Sequence, residues 1–265
     1  MENELINIAI RASLEAGAAI MEIYQKPFDV ELKEDRSPLT QADKASNSNI
    51  LSHLEYTNIP IISEESRQTD YAIRSKWSRC WIVDPLDGTK EFVKRNGEFT
   101  VNIALVEDQV PILGVIYVPV TKELYFANVR EGKSYKAQLT AHNDTLEQIL
   151  ESAKTLNPNT AVDTIRVVGS RSHMSQETLD YMEQLKTNGK TIEVVSKGSS
   201  LKFCLLAEGL ADAYPRFAPT MEWDTAAGHA ICNAVGIEVI SKETDLPLLY
   251  NKENLLNPWF LASKR

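Results

Sequence analysis

Apolar residues at Leu5, Ile8, Ala9, Ala12, Ala16, Ala19, Ile20 and Ile23 follow helical spacing, so the chain opens with an amphipathic helix. Thr40, with Asp43 three residues on, makes a capping-box-like start for a second helix that runs to about Leu54. The period then changes. Pro60-Ile61-Ile62 and Trp81-Ile82-Val83 are short, wholly apolar runs between polar turns and read as buried strands. Residues 100–106 and 112–118 read as two longer strands joined by a turn near Asp108-Gln109, and residues 123–127 as a third. Residues 127–134 nearly spell a phosphate-binding loop, but Ala127 replaces its first glycine, and the segment reads as a hairpin turn. Residues 138–159 are polar and end in Asn157-Pro158-Asn159, which places a boundary between an N-terminal half, 1–158, and a C-terminal half, 159–265. Strand and helix patterns then alternate: a strand at 165–168 and a helix at 175–185, then a strand at 192–195 and a helix at 199–207 capped by Gly209. A strand at 211–217 and a helix at 224–235, ended by Gly236, follow. The expected class is α+β, with layered helices and mostly antiparallel sheet.

Composition narrows the partners. With 265 residues, 43% hydrophobic and 25% charged, the chain has the makeup of a soluble globular protein. A formal net charge of -9 argues against a nucleic-acid polymer, whose phosphates need a basic surface. It still admits a small anionic ligand, because bound divalent cations invert the local field. Cys80, Cys204 and Cys232 are odd in number and widely spaced, as expected of reduced thiols in an intracellular compartment. No leader pattern and no integral membrane segment is visible, so the expectation is a cytoplasmic protein. The sequence leaves open both oligomeric state and loose association with the cytoplasmic face of a membrane.

The chemistry concentrates in Trp81-Ile82-Val83-Asp84-Pro85-Leu86-Asp87-Gly88-Thr89. A buried strand delivers Asp84 to its carboxyl end, Pro85 sets a tight turn, and Gly88 permits angles other residues resist. Such a turn brings the Asp84 and Asp87 carboxylates together, with the Leu86 carbonyl as a third hard donor. Paired carboxylates repel unless a cation lies between them. Oxygen-only donors favour Mg2+ or Mn2+ over zinc. An EF-hand register fails, since Pro85 and Val83 would occupy ligand positions. Glu64 follows another buried strand, and Asp224 opens a helix. Taken singly, these are a solvated loop, an acidic loop and an N-cap. Their combination points to a metal site.

Glu64-Glu65-Ser66, Asp84-Pro85-Leu86-Asp87-Gly88-Thr89 and Trp223-Asp224-Thr225-Ala226-Ala227-Gly228 resemble, in order and spacing, the signature motifs of the inositol monophosphatase superfamily. Residues 84–107, Gly198-Ser199-Ser200-Leu201-Lys202-Phe203-Cys204 and Tyr214-Pro215-Arg216-Phe217 are closer still to its bacterial CysQ-type 3'(2'),5'-bisphosphate nucleotidase branch. The resemblance spans nearly the whole chain and is weakest over 130–165. It implies a layered αβαβα sandwich of the sugar-phosphatase type. It also implies two Mg2+ ions, a third weaker one near Glu64, and Mn2+ as a substitute. By resemblance, Glu64, Asp84 and the Leu86 carbonyl hold one ion, and Asp84, Asp87 and Asp224 the second. Asp43 and Thr89 form a catalytic pair beside Glu64. Glu64, Leu86, Asp87, Gly88, Thr89, His173, Ser199, Lys202, Arg216 and Asp224 would contact the substrate, a small phosphorylated nucleotide. The implied reaction removes the 3'-phosphate of adenosine 3',5'-bisphosphate (PAP), and extends to its sulfated precursor PAPS, within sulfur metabolism and with sensitivity to lithium. The alternatives are an inositol monophosphatase, a sugar bisphosphatase, or a non-catalytic sensor of bisphosphate nucleotides. His229, one turn beyond Asp224, reads as packing.

Overall fold

A computed structural model describes residues 2–27, 30–32, 38–158, 163–169, 174–187 and 189–264. The first helix, α1 (Glu2–Tyr24), buries Leu5, Ala9, Ala12, Ala16 and Ile20 on one face. A two-stranded ribbon of β1 (Val30–Leu32) and β2 (Pro38–Thr40) leads into α2 (Gln41–Leu54). Thr40 is the N-cap of α2, and Asp43 Oδ2 accepts its backbone N–H at 2.7 Å, closing the capping box.

Seven strands follow and lie in chain order: β3 (Ile61–Ser63), β4 (Arg79–Asp87), β5 (Thr100–Glu107), β6 (Val110–Val118), β7 (Glu123–Asn128), β8 (Lys133–Gln138) and β9 (Lys154–Thr155). Among the described residues of this sheet, only β3 and β4 pair in parallel. Asp108 and Gln109 both take positive φ, the two-residue hairpin turn suited to the right-handed twist of strands. Short helices α3 (Tyr71–Arg74), α4 (Thr89–Val93) and α5 (Leu146–Ser152) occupy connections. The second sheet contains β10 (Thr164–Val168), β11 (Thr191–Val195), β12 (Ala213–Arg216), β13 (Ile237–Ser241) and β14 (Phe260–Lys264), in the order β11-β10-β12-β14-β13. Three helices accompany it: α6 (Gln176–Thr187), α7 (Leu201–Ala207) and α8 (Glu222–Asn233).

The layers follow from strand alternation. Trp81, Val83, Ile103, Leu105, Val115 and Tyr117 face α1 and α2, whereas Cys80, Ile82, Ala104, Val106, Ile116 and Val118 face α7 and α8. With α6 packed on β11 and β12, the order is αβαβα. α8 is covered by both sheets, and beside the larger Glu222, His229 and Ile231 much of its buried surface is small: Ala226, Ala227, Gly228 and Ala230. A Cβ on Gly114 of β6 would stand 2.4 Å from the Ala227 carbonyl oxygen, so glycine is what lets α8 lie so close.

Several elements differ from the sequence reading, which had not anticipated β1, β2, α3, β13 or β14. The polar stretch 138–159 contains α5, whose Thr145 and Gln148 form a capping box, and the short edge strand β9. β8 had no clear alternation to reveal it. The helix expected from Ser199 begins at Leu201, because Ser199 sits at φ 49° in the left-handed region.

Candidate active site

β4 does not end at Asp84 in a tight turn. It continues to Asp87, and its pairing with β5 slips: Asp84 stands opposite Asn102 and Asp87 opposite Thr100. Residues three apart on a regular strand face opposite sides, and this one-residue bulge turns both aspartates to the same side. Glu64 follows the neighbouring β3, its N–H donating to the Val83 carbonyl at 3.2 Å. Asp224 is not the first residue of α8 but the third, its Oδ2 accepting the Met221 N–H at 2.8 Å.

The four carboxylates feel one another. Burial drives the Asp84 carboxyl well above its usual range, and the charges of Glu64, Asp87 and Asp224 add to the rise. Asp224 is pushed up to about 7, by burial first and then by Asp87 and Glu64, against the opposing Met221 N–H. Burial also raises Asp87, while Lys202, Asn102 and the Ser200 N–H counter it. Among the described residues, no three acidic, histidine or cysteine side chains already close on one point. The donor set is nonetheless all oxygen, crowded with like charge and largely buried, and it fits a hard divalent cation.

Asp43 is buried and held on Oδ2 by the N–H and hydroxyl of Thr40, each at 2.7 Å. Its Oδ1 lies 3.2 Å from the Thr89 hydroxyl, which also stands 3.3 Å from the Leu86 carbonyl. Gly88, at φ 92°, caps α4, and a Cβ there would collide with Ser199 Oγ at 2.2 Å.

A cavity of about 440 Å³ joins this acidic end to a basic one. Asp87, Gly88 and Asp224 line the first, and Ser199, Lys202 and Arg216 the second; Glu64, Asp84, Leu86 and Thr89 are not on its wall. Lys202 Nζ donates to the Ser199 carbonyl at 2.8 Å. Its ammonium is depressed by burial and by neighbouring Arg216, with Asp87, Glu91 and Asp224 opposing. Arg216 donates through Nη2 to the Pro219 carbonyl at 3.1 Å, whereas its Nε is buried and without a partner among the described residues. The Ser199 hydroxyl faces the carbonyls of Asp87 and Glu98, at 2.7 and 3.0 Å. His173 lies outside the described residues. His229 is buried against the Tyr250 hydroxyl at 3.0 Å and pushed down to about 3 by burial, a packing residue.

Sequence reading missed Glu98, on the cavity wall, and the polar groups behind it. Glu98 accepts the Gly198 N–H at 2.8 Å and pairs with Lys197 at 3.4 Å. Thr100, Asn102 and Ser200 are buried together beside Asp87. The available signal was two polar residues at i and i+2 in an otherwise apolar strand, which share one face.

A profile of the inositol monophosphatase family matches residues 1–259. The chain is 46% identical over 249 residues to the 3'(2'),5'-bisphosphate nucleotidase CysQ of Salmonella typhimurium, covering 92% of this chain and 94% of that one. Identity to the CysQ of Haemophilus influenzae is 32%, over 98% of this chain and 93% of the relative. The crystal structure of CysQ from Bacteroides thetaiotaomicron superimposes with a TM-score of 0.86 at 52% identity, covering 97% of this chain and 96% of that one.

Proposed function

Because this chain belongs to the inositol monophosphatase family, we propose that it is a Mg2+-dependent 3'(2'),5'-bisphosphate nucleotidase. It converts PAP to AMP and phosphate, and acts also on PAPS. The observation that carries this reading is the two-ended cavity, with carboxylates at one end and the half-satisfied Arg216 beside Lys202 at the other. A buried donor without an acceptor costs about 1–3 kcal/mol, which an anionic substrate oxygen would offset. A substrate with two phosphates uses both ends, one at the carboxylates and one at the cations.

Glu64, Asp84, Asp87, Asp224 and the Leu86 carbonyl would hold the metal ions. Bound there, Mg2+ supplies Lewis acidity and charge neutralisation for phosphoryl transfer to water. The protein's own part is proton handling and orientation. Thr40 fixes Asp43, so the Thr89 hydroxyl proton is directed at Asp43 Oδ1. That leaves a Thr89 lone pair to accept a hydrogen bond from the attacking water and orient it, while the water's proton passes to the neighbouring base Glu64. The Gly88 and Thr89 N–H groups hold phosphate oxygens. No residue needs to carry a covalent phosphate.

Phosphate release from PAP, inositol 1-phosphate and fructose 1,6-bisphosphate, each with Mg2+ and with EDTA, tests the proposal. Mg2+-dependent preference for PAP is expected, with inhibition by lithium. Preference for either sugar phosphate would transfer the site to another branch of the family. Thermal stabilisation by PAP without turnover would make the protein a sensor.

A further inference from the structure

Behind Asp87 lies a small polar cluster in an otherwise apolar layer. Thr100, Asn102 and Ser200 are 0, 1 and 2% exposed, and Ser200 comes from the opposite half of the chain. Thr100 Oγ1 lies 2.9 Å and Ser200 Oγ 2.8 Å from Asn102 Oδ1, and the two hydroxyls are 2.8 Å apart. On its other side, Asn102 Nδ2 is 3.2 Å from Asp87 Oδ2, which also accepts the Ser200 N–H at 2.6 Å.

The carboxylate decides how the amide is turned. A flipped amide would set its oxygen against Asp87 Oδ2, acceptor against acceptor, in a buried site where neither could turn to water. With N–H toward Asp87, the amide oxygen must accept from the hydroxyls. Two hydroxyl protons serve three contacts, so at least one is donated to Asn102 whichever way the Thr100–Ser200 contact is polarised. Both donors, the Asn102 amide and the Ser200 N–H, fall on Oδ2, and Oδ1 of Asp87 accepts from none of the described residues. We propose that Thr100, Asn102 and Ser200 are positioning residues that lock Asp87 with Oδ2 held by the protein and Oδ1 presented for a divalent cation. Second-layer partners of this kind tune metal affinity roughly 10–100-fold.

The inference rests on the metal-dependent reading above, and the test separates the two. Mn2+ binding to the EDTA-stripped full chain is read by electron paramagnetic resonance, with melting temperature and the split between kcat and KM at saturating cation measured alongside. Asn102→Leu is expected to raise the Mn2+ Kd roughly 10–100-fold and lower kcat with little change in KM for substrate. Thr100→Val should shift affinity the same way by less, and Thr100→Ser, which keeps the hydroxyl, should bind like wild type. A folded Asn102→Leu protein with wild-type Mn2+ affinity would overturn the proposal, as would a Thr100→Ser protein as weak as Thr100→Val. If Asn102→Leu does not fold, Thr100→Val and Ser200→Ala decide by the same readout. Failure of the wild-type chain to bind Mn2+ would instead overturn the metal reading itself.

Discussion

The two ends of the cavity are made in different ways. The acidic end is delivered by regular elements, β3, the bulged β4 and the first turn of α8, all fixed by the apolar layers around them. The basic end comes from a loop held in a left-handed turn at Ser199, from Lys202 in the first turn of α7, and from the last residue of β12. The electrostatic consequence is symmetrical. Like charges and burial raise the carboxyls, and burial with a neighbouring cation lowers the ammonium. Each end by itself is an electrostatic cost, and each is offset by a ligand of opposite sign. The ends also support each other, since Asp87 and Lys202 each favour the charged form of the other.

The most severe way to break this arrangement is Asp84→Asn at the acidic end. A bound cation contributes several kcal/mol to charge stabilisation in phosphoryl transfer, so turnover should fall by about 10³-fold or more. The metal-free protein should melt at the same temperature or higher, because the amide removes a buried carboxyl whose ionisation burial and the neighbouring carboxylates oppose. Phosphate release and thermal melting in EDTA check both halves; a variant that keeps its activity would remove Asp84 from the site. At the basic end, Arg216→Ala removes charge-assisted bonds worth about 1.5–3 kcal/mol, hence roughly 10–100-fold in KM for a bisphosphate. A substrate with a single phosphate should lose less. Equal loss on both would show that the two ends do not divide the phosphates between them.

A smaller effect comes from packing. Gly114→Ala would force a Cβ against the Ala227 carbonyl, and overpacking of this kind costs about 1–3 kcal/mol. Since Ala227 lies one turn beyond Asp224, the strain should displace Asp224 and lower activity beyond what the loss of stability explains. Denaturant melts with activity at a temperature where both proteins are folded separate the two contributions.

These distinctions also explain what could be read from sequence. The carboxylates were legible because their signals are local: an apolar strand, a proline and a glycine around Asp84 and Asp87, and the start of a helix at Asp224. The small residues after Asp224 carry a different message, about a helix pressed between two sheets, which appears only once both sheets exist. The bulge in β4 was not legible, because it is defined by register against β5 and not by composition. Nor was the partnership of Ser200 with Thr100 and Asn102, which joins positions about a hundred residues apart. α5 went unread for the opposite reason. Its box of Thr145 and Gln148 is local, but polarity on both sides of the short helix hid it.

The gentlest probe is pH. Asp224, ordinarily near 3.8, titrates at about 7 in the fold, so the folded chain retains a proton that the unfolded chain has lost. That stabilisation is complete below the unfolded value and disappears as pH rises through about 7. Asp84, also raised, acts with the same sign. His229 works the other way: lowered to about 3 from 6.5, it favours the fold above its unfolded value and ceases to as pH falls through about 3. Between pH 4 and 6.5 the two trends oppose, but above 6.5 only the carboxyls still change. In EDTA, the melting temperature should therefore fall between pH 6.5 and 8. Asp224→Asn should shrink that fall, and Mg2+ should cancel it by occupying the place the proton leaves. A decline of unchanged size in Asp224→Asn would mean that the repulsion felt by Asp224 is not what the acidic end costs the fold.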